Sequence, residues 1–192
     1  MRNSIVQTLT SRLRRFCRAE DGTVVVEAVL VLPTLLWVTL AMFVYWDSYR
    51  SVNVIQKATY TISDALSRED NEIDGDYIDG LRNVMNYLLD GDQVAKIRVS
   101  SVTWKTADND FSVLWSYSPG DQIPAMPVGL LADQDYQDKV PNLADGDTVI
   151  VVETMVDFSP AFDVGMNDLV IDEFIATRPR SGRLCFTGFA CF

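Results

Sequence analysis

Apolar and polar positions divide the chain into three stretches, and the first change comes at Gly22. From Val24 to Trp46 the chain reads VVVEAVLVLPTLLWVTLAMFVYW, 23 residues in which Glu27 is the sole charge. At about 1.5 Å per residue a helix of this length reaches roughly 35 Å, enough for a hydrocarbon core of about 30 Å. A buried helix of a soluble protein seldom stays apolar on every face for so long. The pattern therefore predicts a basic leader over residues 1–22, a transmembrane helix over 23–46 and an outer domain over 47–192.

Beyond the span the apolar positions become periodic. Tyr45, Tyr49, Val52, Ile55, Thr59, Ile62 and Leu66 recur at steps of three and four, and neither Gly nor Pro interrupts residues 34–74. One helix is expected from about Thr23 to about Glu69, roughly 70 Å long, with its second half laying an apolar stripe on the outer domain. Pro33 removes a backbone donor inside the membrane half, so a kink is expected there. An acidic stretch, EDNEIDGDYIDG, follows. Asp76 is placed to cap a second helix from about Tyr77 to Leu89, with Ile78, Leu81, Val84, Met85, Leu88 and Leu89 as its apolar face.

After Gly91 the period changes to alternation. In residues 94–104 Ile97 and Val99 share one phase and Val102 and Trp104 the other, a slip that a bulge at Ser100–Ser101 would produce. Phe111, Val113, Trp115 and Tyr117 alternate, and Ala107-Asp108-Asn109-Asp110 suits a hairpin connection. Residues 148–158 and about 169–178 read as two further strands. The expected fold class is α+β: a long N-terminal helix, a short helix and a roughly four-stranded, mostly antiparallel sheet.

Charge sets the orientation. The leader holds Arg2, Arg12, Arg14, Arg15 and Arg18 against Glu20 and Asp21, whereas the first basic residues beyond the span are Arg50 and Lys57. Basic residues are retained in the cytoplasm, so residues 47–192 are expected outside it. A cleaved secretory signal fits less well, since its apolar region is about 7–15 residues and ends in a small-residue cleavage site. The outer part carries 11 basic and 24 acidic residues, a net charge of −13, which disfavours nucleic acid and, beyond the anchor, anionic lipid headgroups as partners. Cys185 and Cys191 lie in this part, and an even pair in an oxidising space reads as a small disulfide loop, with two free thiols as the alternative. Cys17 falls in the leader. No histidine is present, so neither a metal centre nor a cofactor is expected.

The junction reads R-R-F-C-R-A-E-D-G-T-V-V-V-E-A-V-L-V-L-P over residues 14–33. A basic leader ends in Gly22, an apolar helix starts at once, and Glu27 stands five residues after the glycine. This resembles pilin precursors, and within them the TadE-like pseudopilins of the tight-adherence (Flp) type IVb pilus system. The likeness is strongest over residues 14–46 and continues more loosely to Glu69. The tail RPRSGRLCF with its paired cysteines is similar to tails of that family, while Ala28 stands where the family usually has an aromatic residue. The resemblance implies cleavage between Gly22 and Thr23 by a prepilin-type peptidase. It also implies a pilin-like fold, a bacterial inner-membrane location with a periplasmic domain, and other pilin subunits and pilus assembly machinery as partners.

Glu27 also has a reading of its own. A carboxylate in a span costs about 2.5–3.5 kcal/mol near the centre and less towards the edge, and such a residue usually faces a partner. An amine freed at Thr23 would lie one helical turn away, in the same chain or a neighbour. A glutamate snorkelling at the headgroup boundary is the plainer alternative. Asp70, Glu72, Asp74, Gly75 and Asp76 follow part of a calcium-loop pattern, but Leu81 occupies the position of the bidentate acid, so a solvated helix-capping turn is favoured. No activated nucleophile or glycine-rich phosphate loop is present, and an enzyme is not expected. The expected function is a minor pilin-like structural subunit. An unrelated signal-anchored scaffold or sensor is the alternative.

Overall fold

The computed structural model describes residues 12, 14, 15, 22–89, 93–127, 134–189 and 191. Most of the basic leader, with Cys17, lies outside the described residues. Helix α1 (Thr23–Ser67) runs unbroken for 45 residues and is followed by α2 (Gly75–Leu88). Then come β1 (Ala95–Lys105), β2 (Asp110–Tyr117), the one-turn α3 (Gln134–Gln137), β3 (Thr148–Phe158) and β4 (Leu169–Thr177). The described strands form one antiparallel sheet in the order β2-β1-β3-β4. The class is α+β.

The two halves of α1 behave differently. Its N-terminal half is apolar and exposed, long and hydrophobic enough to cross a membrane. Its C-terminal half packs on the sheet through Ser51, Ile55, Ala58, Thr59, Ile62, Ser63, Leu66 and Ser67, all buried. Ile55, Thr59, Ile62 and Leu66 thus face the sheet as their spacing predicts. Tyr45 and Tyr49 do not: both are exposed. The packed stripe is richer in Ser, Ala and Thr than the apolar series suggests. Small side chains let the helix approach the sheet, and their hydroxyls find partners across the interface. Thr59 Oγ1 bonds both Ile55 O (2.9 Å) and Thr154 Oγ1 (3.1 Å), and Ser63 Oγ lies 2.6 Å from Thr177 Oγ1. Paired in this way, buried hydroxyls avoid the desolvation penalty of an unmade bond.

Helix α2 begins earlier than the pattern predicts. Asp74, not Asp76, is its N-cap, with Oδ1 accepting from the Tyr77 N–H at 2.9 Å. The reason lies in the preceding residue. Ile73 is buried and held in an extended bridge to Phe186, which leaves Asp74 as the last non-helical position. Gly75 then lies against the Tyr117 ring, where a Cβ would come within 2.8 Å of the hydroxyl oxygen, so glycine permits the close approach. Ile78 and Met85 are buried as expected, while Val84 and Leu88 are exposed.

The phase slip of β1 is also resolved differently. Strand β1 pairs with β3 without interruption, from Ala95↔Val156 to Thr103↔Thr148. The irregularity is on the other side, where Ser101 pairs with Trp115 and Val102 with Val113, so Leu114 of β2 is the extra residue. The bulge sends Trp115 and Tyr117 to the helix-facing side and Phe111 and Val113 to the opposite one. Val102 and Trp104 change nothing in β1's geometry; they fill a second core on that opposite face. There Val102, Phe111, Val149 and Val151 of the sheet pack with Met126 and Val140 of the β2–β3 connection. Both faces of the sheet are covered.

Candidate assembly surface

The residues that the sequence singles out fall at two ends of the molecule. Gly22, Thr23, Glu27 and Pro33 lie in the exposed half of α1; Cys185 and Cys191 lie in the tail, against the far end of the domain.

Gly22 is the N-cap of α1, and its carbonyl accepts the Val26 N–H at 3.0 Å. Among the described residues, a Cβ at Gly22 would meet nothing within 4 Å. Thr23 starts the helix and Glu27 follows one turn later, both exposed. An amine at Thr23 and the Glu27 carboxylate would share one side of the first turn. Pro33 lies within the continuous helix and cannot donate to the Val29 carbonyl. The Thr34 hydroxyl donates to the Leu30 carbonyl (2.9 Å) and that of Thr39 to Leu35 (2.8 Å), so these polar groups are satisfied within the helix, as a hydrocarbon setting requires.

The tail is tied to three elements. Cys185 and Cys191 form a disulfide with Cα atoms 5.5 Å apart. The Ile73 N–H donates to Cys185 O (3.0 Å) and the Thr187 N–H to Ile73 O (2.9 Å), so the disulfide loop is stitched to the α1–α2 connection. Trp115 Nε1 donates to Leu184 O at 3.1 Å, and Phe186 packs against the rings of Trp115, Tyr117 and Phe189. Upstream, the Arg180 N–H donates to Ser67 O (2.8 Å) and its guanidinium reaches Asp64 (2.7 Å). The guanidinium of Arg68, with that of Arg180 beside it, holds the exposed Asp64 carboxyl below the usual carboxylate range. The tail therefore clasps the end of α1.

The second sheet face holds a charged pair that the apolar pattern alone does not announce. Arg98 and Glu153, opposite one another on β1 and β3, are both buried and joined Nε to Oε2 at 2.5 Å. Arg98 also donates to Pro124 O at 2.6 Å, and the Tyr136 hydroxyl donates to Glu153 Oε1 at 3.3 Å. Burial and the neighbouring Glu153 carboxylate push the Tyr136 hydroxyl upward in pKa, keeping it a donor. The signal was present: Arg98 and Glu153 stand among residues alternating toward one face, where a solvated side chain would be out of place. The pair joins the covering segment to the sheet. Trp104 and Phe111 form an edge-to-face pair on a half-open recess of about 450 Å³, while Trp115 and Tyr117 serve the tail. Among the described residues no cluster of three or more acidic or cysteine side chains is arranged to hold a metal, and Asp74 of the acidic turn is occupied as a cap.

Comparison with protein-family models, with curated proteins and with solved structures finds no match for this chain.

Proposed function

We propose that the chain is a minor pilin-like or pseudopilin-like structural subunit that assists assembly of a tight-adherence (Flp-type) pilus or secretion apparatus in a bacterial inner membrane. The observation that carries this reading is the division of α1. One continuous helix presents about 20 residues of bare apolar surface and then becomes the spine of a folded α+β head. A mere anchor has no need to be continuous with the domain it holds. A subunit that packs helix against helix does, because a rigid spine transmits the position of the buried half to the head. Glu27 supplies the one charge in that surface, and pairing with an amine of a neighbouring subunit would offset its cost in the bilayer. The leader ending in Gly22 is the segment a prepilin-type peptidase would remove.

The test uses Gly22→Leu and Glu27→Ala in the full chain. Mass spectrometry of the mature protein is expected to find Thr23 at the N-terminus, and Gly22→Leu is expected to retain the leader while inserting normally. Glu27→Ala is expected to insert at least as well as the parent chain yet to lose co-purification with partner pilins. Normal assembly of Glu27→Ala at normal abundance would remove the pairing role. An intact leader on the parent chain would favour the signal-anchored scaffold instead.

A further inference from the structure

The exposed half of α1 ends before its apolar sequence does. Every side chain from Thr23 to Leu40 is exposed, Ala41 is partly covered, and Val44 keeps 1 % of its surface. The β3–β4 loop, residues 159–168, reaches this level: the Phe162 ring stands edge-on to that of Phe43, centroids 6.3 Å apart. A hydrocarbon layer of about 30 Å entered at Val24 is used up after about 20 residues, at Phe43. Phe162 is thus held where acyl chains give way to headgroups.

The topology brings other apolar side chains to the same end of the head. β4 runs alongside α1 in the same sense, since its start follows the loop at Phe43 and its end meets Ser63 through Thr177. β1 is antiparallel to β3, so Ala95 lies beside Val156 at that end. Asn86 Oδ1 accepts the Ala95 N–H at 2.8 Å, which places the C-terminus of α2 there too. Large apolar side chains that the head leaves exposed gather here: Tyr87 (88 %), Leu88, Val94, Phe162 and Val170. Tyr60, Val84 and Phe189 lie outside this group.

We propose that this end of the head is a second membrane contact, in which Phe162 dips into the bilayer interface beside α1 and Tyr87, Leu88, Val94 and Val170 rest on the headgroup layer. The inference rests on reading the first half of α1 as a membrane span. Continuity with that span selects the bilayer as the occupant, because Phe162 touches the helix where it enters the head and the other side chains lie at that same end of the sheet. Inserting the helix brings them to the surface with no further partner. Tyr45, Trp46 and Tyr49, all exposed, stand at the same level on α1, and aromatic side chains with an apolar body and a polar edge favour this zone. The loop also carries Asp163 and Asp168, and the Asp163 carboxylate accepts the Gly165 N–H at 3.3 Å. With these carboxylates beside the apolar side chains the contact suits uncharged headgroups, with no strengthening expected from anionic lipid.

The full chain carrying Cys17→Ser, with a single nitroxide label at Phe162→Cys, is to be reconstituted in phosphatidylcholine vesicles at high lipid-to-protein ratio. Oxygen partitions into lipid and a nickel chelate stays in water, so their relaxation effects report depth. Parallel labels at Leu36→Cys and Asp108→Cys mark the span and the distant β1–β2 hairpin. The expected result is strong oxygen and weak nickel relaxation at 36 and 162, with the reverse at 108. Water-like relaxation at 162 with a lipid-like label at 36 would overturn the second contact and leave the span intact. A water-like label at 36 would overturn the span and this inference with it. Shielding of the 162 label from both agents, growing with protein density, would overturn it in favour of a second copy of the chain.

Discussion

Arg98 and Glu153 show how one pair of residues can fix the position of a long connection between strands. Each charge is removed from water, a large cost that mutual attraction offsets when the remaining donors and acceptors are also satisfied. Pro124 O and the Tyr136 hydroxyl supply those partners, and both belong to the segment lying over the second sheet face. The pair therefore specifies where Pro124 and Tyr136 lie more than it adds to stability. Arg98→Met is expected to cost about 3–5 kcal/mol, because it leaves a buried carboxylate with the Tyr136 hydroxyl alone. Arg98→Met combined with Glu153→Leu is expected to recover most of that loss while loosening residues 118–147. Chemical denaturation of the full chain in micelles measures the first effect, and hydrogen exchange over that segment measures the second. A single substitution costing under about 1 kcal/mol would mean that the pair is solvated. At this scale the sequence was hard to read, since an Arg and a Glu in separate strands declare no partnership until the register between the strands is known.

At the scale of elements, the sequence was informative wherever a pattern is local. The apolar steps of three and four and the absence of Gly and Pro from residues 34–74 give the end of α1 to within two residues, and the alternating segments place the strands equally well. Two departures from the local pattern have a common cause. The slip in β1 reflects which sheet face each residue fills, and the bulge belongs to Leu114 of the neighbouring strand. The cap of α2 falls two residues earlier than the local pattern predicts because the tail, more than 100 residues away, holds Ile73 extended. Both depend on long-range pairing that no window of sequence contains. The tail carries its own expectation. Its disulfide closes a short loop, so the entropic stabilisation is about 2 kcal/mol. The backbone bonds of Ile73 to Cys185 and Thr187, and the bond from the Trp115 indole to Leu184 O, do not require the bridge. Cys185→Ser is thus expected to lower stability by about 2 kcal/mol and to free the segment after Thr187, with the sheet and α1 intact. Denaturation curves combined with limited proteolysis check both halves. Loss of the whole fold would mean that the clasp depends on the bridge.

For the whole molecule, the orientation is an expectation from charge, and it is coupled to the rest of the functional reading. Five arginines precede the span, while beyond it the nearest basic residues are Arg50 and Lys57. Arginine close to a span is retained on the cytoplasmic side, whereas acidic residues contribute little to the choice, so the head's net charge of −13 neither helps nor hinders its export. A reporter active only outside the cytoplasm, joined after Tyr49, is expected to be active; one active only inside is expected to be silent. Replacing Arg12, Arg14, Arg15 and Arg18 with alanine removes most of the asymmetry and is expected to yield a mixed population with both reporters partly active. The Cys185–Cys191 bridge offers an independent readout, because a head retained in a reducing cytoplasm would present both thiols to a labelling reagent. In the parent chain the two cysteines are expected to resist labelling until reductant is added. Cytoplasmic reporter activity together with two reactive thiols would invert the molecule. Gly22 would then lie across the membrane from where the proposed processing needs it, and the head would stand on the side where the pilus does not form.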